Sequence, residues 1–286
     1  MISLYVAAWL ASIMYGAEAI LGKITSKHSV KNPWLFNFFW SLFILAGITI
    51  AALYFGAGIP SSWGFVIMAS VAYALAGTMY AFSVYTLDAS IVAPLYSMRT
   101  IMAVVVGSIF FGEILSARQY ILIVIIFIFG ILVSMDERFS VKSFFNWKIA
   151  RAIFGMACLL ALSLLTKRAV AVVGFWDATL WIALLGQVWL LATIPLFKKD
   201  WASTSKKQLG MVGLVSIAGV VGTIAAMAAY AMNVSIATAI ISLPLSMIAA
   251  IALSFSHPHL VEKHTITVYA LRFASAVIMI VAALYL

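Results

Sequence analysis

Ten apolar runs, each about as long as the hydrocarbon core of a bilayer is thick, follow one another along this chain and leave little between them. They cover about 2–22, 34–54, 63–86, 90–111, 118–135, 149–166, 176–197, 209–231, 236–256 and 265–285. A helix rising 1.5 Å per residue crosses about 30 Å of hydrocarbon in roughly 20 residues, so each run matches one crossing. Lipid offers no partner to a backbone N–H or C=O, so such runs must satisfy themselves as helices; barrel strands would be about ten residues long and alternating. Only 9% of the 286 residues are charged and 66% are apolar, against roughly 25% charged in soluble domains, which leaves too little polar surface to face water. Apart from 136–148 and 198–208 the connections are a few residues long, and no soluble domain fits between the runs. The expected fold class is an all-α membrane protein of ten transmembrane helices.

The formal charge of +9 comes from 17 Lys and Arg against 8 Asp and Glu. The basic residues stand in short blocks between apolar runs, which reads as an orientation signal and not as a nucleic-acid surface. Loops after odd-numbered runs carry 12 of them: Lys23, Lys27, Lys31, Arg138, Lys142, Lys148, Arg151, Lys198, Lys199, Lys206, Lys207 and Lys263. Loops on the other side carry Arg118, Lys167 and Arg168, and Arg99 and Arg272 lie within runs. The positive-inside rule then puts the basic side in the cytoplasm and both termini outside, with the first run as a span and not a cleaved leader. One cysteine, Cys158, excludes an internal disulfide framework.

The two halves resemble each other. Tyr80 and Pro94 recur as Tyr230 and Pro244, each 150 residues on, and Glu113 recurs as Glu262, 149 residues on. This divides the ten runs into five and five. Because five is odd, the halves cross the membrane in opposite senses, the inverted-repeat plan of many alternating-access carriers. The expected units are residues 1–136 and 149–286, joined by a linker at 137–148.

The run Leu87-Asp88-Ala89-Ser90-Ile91-Val92-Ala93-Pro94 is followed by Phe110-Phe111-Gly112-Glu113, Ser116 and Gln119, and then by a span ending Phe129-Gly130-Ile131-Leu132-Val133. This pattern resembles the EamA-type branch of the drug/metabolite transporter superfamily, and its closing three helices resemble the small multidrug resistance proteins. The resemblance covers the whole chain as two units, strongest over 73–135 and weaker over 222–286, where Val261 replaces the glycine before Glu262 and His257-Pro258-His259 stands in place of Ile109-Phe110-Phe111. It implies a ten-helix carrier of small metabolites, driven by an ion gradient or by exchange. It also implies cytoplasmic termini, opposite to the charge distribution.

Ionisable residues inside hydrocarbon cost at least about 2.5–3.5 kcal/mol each and mark candidate sites. Three qualify: Glu18, Arg99 and Arg272. Arg99 lies about 13 Å from the basic side, Arg272 about 10 Å and Glu18 about 6 Å, all within one half of the bilayer. In the fourth run Ser90, Pro94, Ser97, Ile101, Val104 and Ser108 form one stripe, and small residues on it favour close helix packing. Arg99 points the other way with Tyr96, Met102, Ala103 and Val106, a face read as a cavity wall whose guanidinium suits a carboxylate or phosphate. The alternative is a buried tie that only locks helices together.

Burial disfavours the charged form of a carboxylate, which makes Glu18 a candidate for proton coupling or for a substrate amine; the alternative is an interfacial carboxylate reaching water beside Lys23. Arg272 is expected to snorkel to the surface. Tyr80 and Tyr230 hold matching repeat positions near opposite faces and suit gates or cavity walls. Glu113 is expected to cap the next helix or to pair with Arg118. The glycines Gly210, Gly213, Gly219 and Gly222 in the eighth run are expected to be close-packing surfaces. The histidines at 257, 259 and 264 match no regular metal spacing, and nucleotide-binding and hydrolase motifs are lacking, so no cofactor, metal or enzymatic activity is expected.

The function expected is secondary active transport of a small metabolite, such as an amino acid or organic anion, with Arg99, Glu18, Tyr96, Tyr80 and Tyr230 around the substrate. The chain is expected to sit in the plasma (inner) membrane as a multi-pass protein, with the lipid bilayer as its surroundings and a homodimer as a compatible assembly. The alternatives are a flippase for a lipid-linked sugar or lipid headgroup, a transport-inactive assembly subunit, or a membrane enzyme.

Overall fold

The computed structural model describes residues 2–86, 89–133, 147–249 and 266–286. Among these the chain is all-α, without strands. The helices are α1 (Leu4–His28), α2 (Pro33–Tyr54), α3 (Gly64–Thr86), α4 (Ala89–Phe111), α5 (Ala117–Val133), α6 (Trp147–Val173), α7 (Phe175–Leu191), α8 (Lys198–Ser203), α9 (Lys206–Met232), α10 (Val234–Ile241) and α11 (Ile266–Leu284). Five of them, α1, α2, α3, α6 and α9, are long and apolar enough to cross a membrane, and shorter apolar helices accompany them. The chain is therefore read as a membrane protein.

Local chemistry sets the helix ends. Ser3 caps α1 by accepting from Val6 N–H, and Asn32 caps α2 by accepting from the N–H groups of Trp34 and Leu35, with Pro33 in the first turn where its missing donor costs nothing. Ser205 and Gln208 form a reciprocal capping box at α9. Some ends differ from those read in the sequence. α1 runs on to His28, because Lys27 and His28 in its last turn complement the helix dipole. α6 passes 166 to end at Val173, taking Lys167 and Arg168 into the helix. α7 stops at Leu191, short of 197, and a 3₁₀ turn at Ile194–Leu196 holding Pro195 leads into α8, which lies within the 198–208 connection. α10 stops at Ile241, and helical backbone resumes only at 245–249. Pro244 lacks an N–H and its ring excludes the carbonyl one turn back, so the helix breaks there.

α1 packs along α9, and α3 packs along α6; α2 lies against α9 and α7 against α3, while α5 pairs with α11 and α4 with α10. Lipid tails are as apolar as leucine, so contact between such helices rests on close fit, which small residues permit. Gly155 of α6 is such a point: a Cβ there would lie 2.7 Å from Met79 Cβ of α3. At one end of the bundle the start of α1, the start of α5 and the C-terminus meet, with Tyr5 Oη and Gln119 Nε2 donating to Leu286 O at 3.3 and 3.2 Å. At the other, basic end, Tyr85 Oη donates to Val30 O at 2.6 Å, Asn32 Nδ2 to Asp200 Oδ2 at 2.5 Å and Gln208 Nε2 to Ser29 O at 2.8 Å.

Candidate functional site

Glu18 lies mid-bundle. Because α1 continues to His28, the carboxylate sits ten residues from the helix end, or about 15 Å, not the 6 Å expected, and an interfacial reach to water is excluded by geometry. It is 2% exposed. Its Oε1 accepts from Trp40 Nε1 of α2 at 2.5 Å. Gly219 of α9 makes room for it: a Cβ there would come within 2.5 Å of Oε1. The Trp40 ring lies between Phe36 (centroids 6.1 Å apart) and Tyr80 of α3 (5.7 Å). One turn before Glu18, Tyr15 packs on Gly222, faces Thr223 and lies within electrostatic reach of Glu18, Tyr73 and Tyr230. Tyr73 packs on Gly186 of α7. Gly219 and Gly222 thus behave as close-packing surfaces, whereas nothing approaches the Cβ positions of Gly210 and Gly213.

Arg99 of α4 is also 2% exposed. One terminal nitrogen donates to Tyr230 Oη of α9 at 2.7 Å and to Leu159 O of α6 at 3.4 Å, and the guanidinium lies 5.5 Å from the Tyr230 ring centroid. Among the described residues its Nε has no hydrogen-bond partner. No carboxylate pairs with Arg99 among the described residues. The face it occupies is closed: Ala103 packs with Leu160 and Val234, and Val106 lies beside them. Met102, expected on the same wall, points outward at 41% exposure: at 100° per residue it lies about 60° to one side of Arg99 while buried Ala103 lies about 40° to the other. Next to Arg99, Thr100 Oγ1 meets Ser242 Oγ at 2.8 Å, at the break after α10.

A second cluster stands at the end opposite the basic loops. Gly112 takes a left-handed turn (φ +61°) that ends α4. Glu113 beyond it caps α10, not the next helix: it accepts from Val234 N at 2.9 Å, Ser235 N at 3.0 Å and Ser235 Oγ at 2.6 Å, and pairs with Lys167 Nζ of α6 at 2.5 Å. The expected partner Arg118 instead lies over the Tyr285 ring, and α5 is capped by Ser116 with Gln119. Burial pushes the Glu113 carboxyl up, but Lys167, Ser235 and the two backbone N–H groups outweigh it and hold the group below its usual range. A lowered folded value means stability that is present above the ordinary carboxylate range and is lost as pH falls through the folded value. The unfolding temperature of Glu113→Gln is therefore expected to lie below that of the unchanged protein near pH 7, and the gap to narrow toward about pH 3. A gap constant with pH would assign the contribution of Glu113 to packing alone.

The structure brings Glu18 near Tyr80 through Trp40, and joins Arg99 to Tyr230. The side chain of Tyr96 lies outside the described residues, as do Glu262, Lys263 and the histidines at 257, 259 and 264. Arg272 does not snorkel: it is 3% exposed, turned into the bundle from α11. Trp40, Thr100 and Ser242 join the site without having been expected there. The polar spacing Asn37, Trp40, Ser41 within an otherwise apolar span is the signal that marks the α2 face, where Asn37 Nδ2 also donates to Thr78 Oγ1 at 3.0 Å. A cleft of about 670 Å³ opens at the basic end beside Asn32, Trp34, Asp200 and Gln208, lined by neither Glu18 nor Arg99. No metal-ligand cluster occurs among the described residues.

No family model and no curated protein matches the chain. Among solved structures 28 chains match; one, a crystal structure of a protein, superposes with a TM-score of 0.71 over 98% of this chain and 98% of that chain, at 12% sequence identity. At that identity the likeness concerns the fold alone.

Proposed function

We propose that the chain is a secondary active transporter of a small metabolite, an amino acid or organic anion, working by alternating access of two inverted five-helix units at 1–136 and 149–286. The observation that carries this reading is the pair of buried ionisable residues, Glu18 and Arg99, each held among the described residues by an aromatic side chain and not by an opposite charge. A purely structural use would place the two together, since a guanidinium without a counter-charge in a low-dielectric interior is costly. With separate partners, Trp40 and Tyr230, they are left to meet a proton or amine at Glu18 and an anionic group at Arg99. Tyr80 and Tyr230 line the path. The conformation described is closed around Arg99, so on this reading cargo reaches it only when that face opens and the Tyr230 hydroxyl is displaced.

The packing supports the inverted repeat. Exchanging the halves turns the α1 with α9 contact into the α6 with α3 contact, and α2 with α9 into α7 with α3, while α5 with α11 and α4 with α10 map onto themselves. The lysines follow suit: Lys23 Nζ donates to Val84 O at 3.3 Å, and Lys167 Nζ to Met232 O at 3.5 Å, each joining the first and third helices of one half. On this reading the EamA-type resemblance, ten spans and a multi-pass location in the plasma (inner) membrane go together.

The test is a thermal-stability screen of the purified protein against amino acids, organic anions, organic cations and polyprenyl-phosphate sugars, followed by uptake of the stabilising solute in proteoliposomes. A ligand that binds the folded state raises its stability by mass action. Stabilisation by a carboxylate-bearing solute, with saturable uptake, is expected. Stabilisation only by the lipid-linked sugars would replace the carrier with a flippase.

A further inference from the structure

The contacts of Glu113 join the two proposed units at the face away from the basic loops. The carboxylate belongs to the turn between α4 and α5 in the first half, and all four of its hydrogen-bond donors belong to the second: Lys167 Nζ on α6 and Val234 N, Ser235 N and Ser235 Oγ at the start of α10. The fit is built from both sides. Gly107 of α4 leaves the room, since a Cβ there would lie 2.5 Å from Ser235 Oγ and 2.7 Å from Glu113 Oε2. Phe111 lies under both neighbouring cations, 4.9 Å from Lys167 Nζ and 4.6 Å from the Arg168 guanidinium, and Arg168 donates to Phe110 O at 3.0 Å. The same α10 carries Ser242 at its far end, against Thr100 beside Arg99. One rigid helix of about two turns thus connects the carboxylate to the neighbourhood of the buried guanidinium.

We propose that Glu113 is a charge-operated clasp that closes the non-basic face of the carrier, and that this face opens only when Lys167 and the α10 N-terminus let go of it. This inference rests on the alternating-access reading above. Two features argue against a passive cap. α10 already has its own, since Asn233 Oδ1 accepts from Ile236 N at 2.8 Å, so Glu113 is additional to local capping. A charged acceptor with four donors is also a discrete contact, which is made or broken as a unit, and a two-state carrier needs such elements.

The test measures opening directly and does not depend on knowing the cargo. In a Cys158→Ser background, spin labels at Ile114→Cys on the α4–α5 turn and Val172→Cys near the end of α6 occupy exposed positions, 94% and 48%. Pulsed-EPR distances are recorded in nanodiscs. The parent is expected to show mainly one short population at neutral pH, and Glu113→Gln to raise the ratio of long to short distances by at least ~10-fold, with Lys167→Gln acting in the same direction. Lys167→Gln carries the test if Glu113→Gln does not fold. Unchanged distances in Lys167→Gln, or in both variants, overturn the clasp. If the distances lengthen as expected but the parent moves no solute in proteoliposomes, the clasp stands as a conformational contact and the carrier reading fails; if the parent transports and the distances stay unchanged, the carrier stands and the clasp fails.

Discussion

Arg99→Ala is expected to lower the kcat/KM for uptake of the stabilising solute by at least about 30-fold, from the ~2–5 kcal/mol that truncating one member of a buried charged contact costs. Two controls separate a binding role from a structural one. Arg99→Met keeps the bulk that fills the space between α4, α6 and α9 but removes the charge; as a mere tie, Arg99 could be replaced by Met with uptake retained in folded protein. Arg99→Lys keeps the charge but loses the planar fork, so an intermediate loss is expected for a carboxylate-bearing cargo. Uptake that survives Arg99→Ala unchanged would remove the guanidinium from the site altogether, leaving its bonds to Tyr230 and Leu159 as its only role.

Glu18→Gln is expected to make uptake insensitive to an imposed pH gradient while the protein stays folded. The amide oxygen can still accept from Trp40 Nε1, and the side chain keeps the volume that Gly219 accommodates. What it loses is the ability to exchange a proton. If the pH-gradient response persists in proteoliposomes of Glu18→Gln, coupling runs through another group and Glu18 serves cargo or packing. A response lost together with all gradient-free exchange would place Glu18 in cargo binding as well, because exchange needs no proton.

Glu18 and Arg99 are legible in the sequence because both stand in apolar runs where water is absent. How they are satisfied is not. The expected depth of Glu18 fails because it takes the first Lys as the end of the helix, whereas Lys23 stands well inside α1, with its amine reaching Val84 O. Arg272 is expected at the surface for the same kind of reason, and its burial follows from the rotation of α11 and not from its distance to a helix end. Pro244 marks a helix start or a kink; only the neighbours show that it ends α10 beside Ser242 and Thr100.

The chain's own residues determined that it lives in a bilayer, that its crossings are helices and which charges stand deep in them, because a solvent that cannot hydrogen-bond imposes these requirements locally, run by run. The tertiary structure decided the partners: Tyr230 for Arg99 across 131 positions, Trp40 for Glu18, and the start of α10 for Glu113 across 122. In lipid both faces of a helix are apolar, so periodicity does not say which face meets a neighbour. That choice is made by small residues and side-chain shapes brought together only when distant helices pack.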